Sequence, residues 1–136
     1  MITYKVNPEL NVEEVCRLYQ SMGWTNYSSR PEMLQKAIAH SLFVLAAFDK
    51  DRLVGLLRAV GDGYSIVFIQ DILVDVDYQR QGIGRALVEK TLDKFSEVYQ
   101  LHLMTDNEER TISFYESLGF TPIEQLGCVA YTYIRK

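Results

Sequence analysis

Between a strand-like run and a helix-like run, the chain reads Tyr78-Gln79-Arg80-Gln81-Gly82-Ile83-Gly84-Arg85. The apolar residues up to Val76 have the composition of a strand, and those from Ile83 onward have the spacing of a helix. Glycine at such a junction lets the backbone approach a ligand closely, and the first N–H groups of a helix are suited to bind an anion. The stretch therefore predicts a phosphate-binding loop between a strand and a helix.

Two better-known glycine motifs do not fit this loop. No Gly-Lys-Ser or Gly-Lys-Thr closes it, which excludes a Walker loop. A dinucleotide fingerprint needs a third glycine or alanine where this chain has Leu87, and no strand-helix-strand unit precedes the loop. For Gly82 and Gly84 taken alone, an ordinary strand-to-helix turn that needs glycine is the alternative.

Composition sets the broad class of the protein. A length of 136 residues with 48% hydrophobic and 24% charged residues predicts one globular domain, residues 1–136. A formal charge of −4 without a Lys/Arg cluster argues against nucleic acid as a partner. Cys16 and Cys128 are too few for a disulfide framework, and with the two histidines they show no zinc spacing, so no metal is expected. Without a signal peptide or an apolar run of membrane-spanning length, we expect a cytoplasmic protein and no membrane partner.

The periodicity of the chain predicts an α/β (α+β) fold. The predicted helices cover residues 11–22, 31–40, 84–96 and 107–118, and the predicted strands cover 2–6, 42–48, 53–60, 64–76, 100–105, 120–124 and 129–134. Asn11 is the expected N-cap of the first helix, and Pro31 lies in the first turn of the second. Strands followed by alternating helices and strands predict a mixed, mostly antiparallel sheet of about six to seven strands flanked by about four helices.

A second motif lies about 30 residues after the loop. Asn107 is followed by Phe114-Tyr115-x-x-x-Gly119-Phe120 on the last predicted helix and its C-terminal turn. Alone, these residues would be the apolar face of a helix. Together with Gln79-x-x-Gly82-x-Gly84, in this order and at this spacing, they closely resemble the GCN5-related N-acetyltransferase (GNAT) superfamily, in particular its small bacterial single-domain members. The resemblance covers residues from about 42 to 120.

The resemblance implies acetyl-CoA as co-substrate. In that family the loop amides wrap the CoA pyrophosphate, a bulge separates the preceding strand from the next one, and the pantetheine arm pairs with the exposed strand. The cofactor-binding residues expected from it are Leu73, Val74, Asp75, Gln79, Arg80, Gln81, Gly82, Ile83, Gly84, Arg85 and Asn107. For Asn107, capping of the last helix is the alternative.

The resemblance also implies direct attack of an amine on the thioester in a ternary complex, with no acyl-enzyme. Tyr115 matches the family tyrosine that protonates the departing sulfur, and a phenol with an ordinary pKa of about 10 is protonated at neutral pH. Asp71 lies near the place of the family carboxylate that deprotonates the amine, and the alternative is that it only binds the ammonium or organises water. Gln70 is expected on the opposite face of the strand. Asp62 is expected in a solvated turn, and the alternative is that it reaches the substrate end.

Acceptor recognition is expected from the first third of the chain. Tyr19, Trp24 and Tyr27 form a predicted aromatic wall for an amine, whereas core packing is the alternative for Trp24. The expected function is an N-acetyltransferase acting on a small-molecule or peptide amine. The alternatives are a non-catalytic acyl-CoA-binding or sensing module and a structural dimerisation domain. The apolar last strand, 129–134, also suggests a homodimer.

Overall fold

The structure is a computed structural model that describes residues 1–135. The helices are α1 (Val12–Ser21), α2 (Thr25–Ser28), α3 (Pro31–Ala39), α4 (Ile83–Lys94) and α5 (Glu109–Ser117), and the strands are β1 (Ile2–Val6), β2 (Phe43–Asp49), β3 (Arg52–Gly61), β4 (Ile66–Val74) and β5 (Gln100–Leu103). Single 3-10 turns lie at Val76–Tyr78 and Ile123–Leu126. The chain divides into two compact units, Met1–Met104 and the residues from Thr105 onward.

The first unit contains one sheet with the strand order β1-β2-β3-β4-β5. Neighbouring strands from β1 to β4 are antiparallel, and β5 is parallel to β4. The prediction of six to seven, mostly antiparallel strands is therefore slightly off, because residues 1–135 form five strands in a mixed sheet. The helix count is five instead of about four, because the short helix α2 lies between the first two predicted helices, where none was predicted.

The two strands predicted after α5 are not found within the described residues. Ile123–Leu126 is a 3-10 turn, and no β pairing is assigned from Gly127 to Arg135. Val129, with 65% of its surface exposed, and Tyr131, with 92%, follow the alternation of a strand but do not pack on a core. Alternating side chains favour a strand only where one face becomes buried, which explains why the pattern misled the prediction.

The helices before β2 begin where the sequence predicts. The side chain of Asn11 accepts hydrogen bonds from the amides of Glu13 and Glu14, at 2.8 and 3.2 Å, and so caps α1. Pro31 is the first residue of α3, where its missing N–H leaves no helical bond unmade. Between these helices the carbonyl of Trp24 accepts the amide of Ser28 at 3.2 Å, and this bond closes the single turn of α2.

Helices cover the sheet on both sides. Leu56 in β3 is fully buried in a cluster with Leu18 of α1 and Leu34 of α3. The neighbouring Gly55 has so little space that a Cβ placed there would lie 3.1 Å from Ile83 of α4. Because successive residues of a strand face opposite sides of the sheet, α1 and α3 pack on one side and α4 packs on the other. Burial of these apolar side chains is the main force that holds the unit together.

One irregularity in β4 determines the geometry of the site. Arg58 of β3 pairs with Asp71, but the next residue, Ala59, pairs with Ile69, so Gln70 is an extra residue without a partner in β3. This is a β-bulge. Parallel pairing with β5 also ends at Ile69. Beyond the bulge, within residues 1–135, no strand pairs with the side of β4 that faces away from β3.

The turn between β3 and β4 is organised by one carboxylate. Asp62 Oδ1 accepts hydrogen bonds from the amides of Tyr64 and Ser65, both at 2.8 Å, and from that of Ile66 at 3.1 Å. Its Oδ2 accepts the Ser65 hydroxyl at 2.6 Å. The Ser65 hydroxyl and the three amides lower the pKa of Asp62 below its ordinary range. Asp62 is thus not merely a solvated turn residue but the group that fixes the turn.

We predict that Asp62→Ala lowers the free energy of unfolding at neutral pH. The pKa of Asp62 is lower in the folded chain than its ordinary value of 3.8, so its stabilisation is complete above that value and is lost as the pH falls through the folded pKa. The difference in free energy of unfolding between wild type and variant, measured with denaturant, should therefore be larger at about pH 7 than at about pH 3. Asp93→Ala, which removes an exposed carboxylate on α4, is the control. An equal gap at both pH values would contradict the prediction.

Candidate active site

The predicted loop lies between β4 and α4. After the 3-10 turn at Val76–Tyr78 the chain passes through two left-handed positions, Arg80 with φ +65° and Gly82 with φ +82°, and then enters α4. A left-handed arginine is uncommon and marks a backbone that the surrounding structure holds in place. The strand-loop-helix arrangement inferred from the sequence is confirmed.

The N-terminus of α4 has the features of an anion site. In the part of the chain that the structure describes, no side chain caps it, and the first helical bond runs from the Ala86 amide to the Gly82 carbonyl at 3.0 Å. The amides of Ile83 and Gly84 therefore precede the hydrogen-bond ladder. A Cβ at Gly82 would meet no atom within 4 Å, so the space beside the loop is open. These donors fit a phosphate group, which a helix N-terminus attracts.

Asp75 has a different role from the one expected. Its side chain is 2% exposed and accepts bonds from Arg17 at 3.0 Å, Arg52 at 3.2 Å and the amide of Asp77 at 3.0 Å. Burial would raise the pKa of Asp75, but the Asp77 amide and the two guanidinium groups outweigh it and lower that pKa. Its own amide donates to the Val54 carbonyl at 2.8 Å. Asp75 therefore anchors the start of the loop to the protein, and neither its amide nor its carboxylate is free for a cofactor.

Gln79 turns back toward the end of β4. Its Nε2 donates to the carbonyl of Val74 at 3.1 Å, which ties the first residue of the glycine motif to the last residue of the strand. The contact lies on the side of β4 that faces away from β3. The loop and the free edge of the strand are thus one continuous surface.

The register of β3 and β4 identifies which strand amides face this surface. The Asp75 amide bonds to Val54, and bonded pairs alternate along an antiparallel ladder. Leu73 opposite Leu56 is therefore bonded to β3, whereas the peptide groups of Ile72 and Val74 point to the open side. Of the strand residues expected to bind the cofactor, only Val74 directs its amide to this open side. Ile72 was not predicted, because the direction of its amide depends on the register with β3, which the sequence does not reveal.

A buried ion pair lies on the α1 side of the bulge. Asp71 is 3% exposed, and its Oδ2 accepts Arg58 Nε at 2.9 Å and the hydroxyl of Tyr19 at 2.8 Å. Burial and then the Asp71 charge raise the pKa of Tyr19. Burial would lower the pKa of Arg58, but its hydrogen bond to Asp71 and the Asp71 charge raise it overall. The hydroxyl of Tyr19 and the guanidinium of Arg58 therefore both stay protonated at neutral pH.

Arg58 extends this network toward the surface. Its Nη2 donates to the hydroxyl of Tyr27 at 3.4 Å, and Gln70 Nε2 donates to the same hydroxyl at 3.4 Å. Gln70 was expected on the face opposite Asp71, but both side chains lie on the side of α2. The bulge causes this, because its extra residue interrupts the alternation of faces. Arg58 and Gln70 are site residues that the sequence analysis did not identify.

The predicted aromatic wall needs one correction. Tyr19 is fully buried, and its ring packs edge-on against those of Trp24 and Tyr27, with centroids 6.0 and 5.2 Å away. It cannot line an open acceptor surface, because no part of its ring is accessible. Trp24 and Tyr27 are partly exposed and also pack on the core cluster, so the alternative of core packing for Trp24 holds in part.

The second unit carries Tyr115 and Asn107. The ring of Tyr115 packs edge-on against Phe114 and Phe120, at centroid distances of 5.0 and 5.8 Å. Burial and then the charge of Asp106 raise the pKa of Tyr115 to about 12. Asn107 is exposed, and the N-cap of α5 is Glu108, so the alternative of a capping Asn107 is wrong.

The sequence led to the expectation of neither a metal site nor a membrane span. Within residues 1–135, no group of three or more His, Cys, Asp or Glu side chains is arranged to hold a metal ion. None of the helices described in this chain is long and apolar enough to cross a membrane.

The first unit is an α/β structure in which a bulged strand leads into a glycine loop at the N-terminus of α4. A family model described as "Acetyltransferase (GNAT) domain" matches residues 8–132. The chain belongs to the GNAT acetyltransferase family, as the resemblance indicated.

Three relatives illustrate this relationship. A GNAT family acetyltransferase from Streptococcus pneumoniae TIGR4 is 44% identical, with a TM-score of 0.89 over 100% of this chain and 99% of its own. A probable acetyltransferase of unknown function from meticillin-resistant Staphylococcus aureus is 27% identical, with a TM-score of 0.84 over the whole of both chains (100% of each). A histone acetyltransferase of Glycine max is 27% identical in an alignment 133 positions long that covers 88% of this chain and 55% of that protein. The chain thus spans only about half the length of that curated relative.

We predict that Tyr19→Phe destabilises the protein by about 1.5–3 kcal/mol, the usual worth of a hydrogen bond to a charged group. The pKa of Tyr19 is raised above its ordinary 10.0, so its contribution is complete below that pH and is lost as the pH rises toward the folded pKa. Denaturant unfolding at about pH 8 and about pH 10.5 should show a smaller gap between wild type and variant at the higher pH. Tyr64→Phe, at a tyrosine with 85% exposure, is the control. A variant as stable as wild type at the lower pH would contradict the assigned hydrogen bond.

Proposed function

We propose that this chain is an acetyl-CoA-dependent N-acetyltransferase that moves an acetyl group to a primary amine of a small molecule or peptide. The observation that carries the proposal is the continuous surface formed by the free edge of β4 at Ile72 and Val74 and by the glycine loop that follows. A ternary complex with direct attack by the amine suits this arrangement, because the strand edge and the acceptor-side network meet at the bulge.

The donor side has a role for each group. The amides of Ile83 and Gly84 at the start of α4 would hold the pyrophosphate, with Gly82 leaving room for it. The peptide group of Val74 and the carbonyl of Ile72 would pair with the pantetheine arm in the manner of an added strand, which leaves the Ile72 amide for the acetyl group. Arg80, Gln81, Arg85 and Asn107 stay in the proposed set on the strength of the family motif. Leu73 and Asp75 support this surface through their bonds to β3 and to the arginines.

Acetyl-CoA supplies an acetyl group already activated as a thioester. The chain must then orient a neutral amine, meet negative charge that develops on the acetyl oxygen, and provide a proton for the departing sulfur. Of the two amides that face the open side of β4, that of Ile72 lies nearer the bulge and is the proposed donor to that oxygen. Because no acyl-enzyme is proposed, positioning supplies much of the rate increase.

Asp71 is proposed as an organising carboxylate. A general base must reach the proton that it removes, within hydrogen-bond distance or through one water. The 3% exposure of Asp71, and the two donors that already engage its Oδ2, support its alternative role of ordering the acceptor side. Direct deprotonation by Asp71 is the competing proposal. An Asp71→Asn variant with a wild-type pH profile for turnover would exclude it.

Tyr115 is proposed as the proton donor to the departing sulfur. Its pKa of about 12 keeps the hydroxyl protonated across the neutral range, as a donor requires. The same shift makes it a weaker acid than a free phenol, so its proton moves only as negative charge builds up on the sulfur.

The proposed function is tested in two stages. Calorimetry with acetyl-CoA measures the shared requirement of an enzyme and of a CoA-binding module. Release of free thiol across amines, peptides and aminoglycosides then separates the two. Saturable binding with turnover of at least one amine supports the enzyme, binding without any turnover favours the module, and no binding contradicts both.

We predict that Gly82→Val weakens acetyl-CoA binding. Gly82 has φ +82°, where a β-branched residue is strained by about 1–3 kcal/mol, and the new side chain would occupy the open space beside the loop. Gly23→Val is the matched control, since Gly23 has φ +76° and also no atom within 4 Å of a Cβ. Both variants should lose similar stability in denaturant unfolding, but calorimetry should show reduced affinity only for Gly82→Val. Equal affinities would refute the loop assignment.

We predict that Tyr115→Phe lowers kcat by roughly 100-fold, the lower range for loss of a general acid, and leaves the affinity for acetyl-CoA nearly unchanged. The substitution keeps the ring packing on Phe114 and Phe120 and removes only the hydroxyl. Tyr131→Phe, at a tyrosine with 92% exposure in the same unit, is the control. A Tyr115→Phe enzyme with wild-type turnover would remove Tyr115 from the mechanism.

A further inference from the structure

The buried network on the α1 side of the bulge ends at two accessible groups. Asp71, Arg58 and Tyr19 form its inner part, with 3%, 5% and 0% of their surfaces exposed. Tyr27 is partly exposed and Gln70 is exposed. The hydroxyl of Tyr27 accepts hydrogen bonds from Arg58 of the inner part and from Gln70. Because Arg58 and Asp71 neutralise one another, the accessible end offers hydrogen-bonding groups and no net charge.

The contacts of Tyr27 fix the direction of its proton. A phenol oxygen has two lone pairs and one O–H. Arg58 Nη2 and Gln70 Nε2 donate to this oxygen, each at 3.4 Å, and neither group can accept a hydrogen bond in return. The O–H of Tyr27 is therefore turned away from both donors and is available to an acceptor atom of a ligand.

Gln70 offers the complementary group beside it. Its Nε2 donates one N–H to Tyr27, which leaves the second N–H and the acceptor oxygen Oε1 for a ligand. The bulge places Gln70 at the point where pairing with β5 ends and the free edge of β4 begins. An acceptor oxygen at this point can bind the N–H of an amine close to the proposed donor site.

We propose that Gln70 and Tyr27 determine acceptor specificity by selecting amines that carry a hydroxyl or carbonyl oxygen next to the amino group. Gln70 Oε1 accepts a hydrogen bond from the amine, and the Tyr27 O–H donates to the neighbouring oxygen. Arg58 is a positioning residue that, with Asp71 and Tyr19 behind it, holds Tyr27 in place. This inference rests on the proposed N-acetyltransferase function and adds to it the substrate class.

The inference is tested with two amines that differ by one hydroxyl, 2-phenylethylamine and 2-amino-1-phenylethanol. Wild type should favour the hydroxylated amine in kcat/KM by about tenfold, which is the scale of one hydrogen bond. Tyr27→Phe should abolish that preference by raising KM for the hydroxylated amine alone. Gln70→Ala should raise KM for both amines by roughly tenfold and leave KM for acetyl-CoA unchanged.

The controls separate recognition from structural damage. Tyr64→Phe and Gln20→Ala change exposed residues of the same types and should keep the wild-type preference. A Tyr27→Phe variant that loses activity equally on both amines, or a wild type without preference, would overturn the inference. Acetyl-CoA binding without turnover of either amine would also overturn it and would leave the cofactor assignment intact. Absence of acetyl-CoA binding would overturn the proposed function and the inference together.

Discussion

At Gln70, strand β4 contains one residue more than β3, the strand with which it pairs. The pairing of the other edge of β4 differs before and after that residue. Toward the N-terminus of β4, β5 pairs with its outer edge, and toward its C-terminus no strand formed by residues 1–135 pairs with that edge. The same extra residue brings Gln70 and Asp71 to one face. A single β-bulge thus creates both the strand edge proposed for the donor and the polar network proposed for the acceptor.

Two buried carboxylates hold these surfaces in place, and each is neutralised by arginine. Asp71 pairs with Arg58 beside the bulge, and Asp75 pairs with Arg17 and Arg52 at the start of the loop. For the fully buried Asp71–Arg58 pair, net stability over an apolar replacement is small, but removal of one partner costs about 3–5 kcal/mol because a buried charge is left alone. These pairs therefore define the geometry of the site more than they stabilise the fold.

Local chemistry explains what could be predicted from the sequence. The glycine loop, the Asn11 cap and the Pro31 helix start depend on residues close together in the chain, and all three were found as expected. The buried position of Tyr19 and the free amide of Ile72 depend on partners far along the chain. The prediction of a last strand at 129–134 was wrong for the same reason. An alternating pattern shows that a segment can form a strand, but not that another strand lies beside it.

Amide hydrogen exchange, followed residue by residue with and without acetyl-CoA, tests the central claim most directly. In the free protein the Leu73 amide, bonded to β3, should exchange slowly, whereas those of Ile72 and Val74 should exchange faster. Saturating acetyl-CoA should slow exchange of the Ile72 and Val74 amides and of the Ile83 and Gly84 amides at the start of α4. The exchange rate of the Leu73 amide should stay unchanged. Unaltered exchange at Ile72 and Val74 in the presence of bound acetyl-CoA would contradict the proposed site.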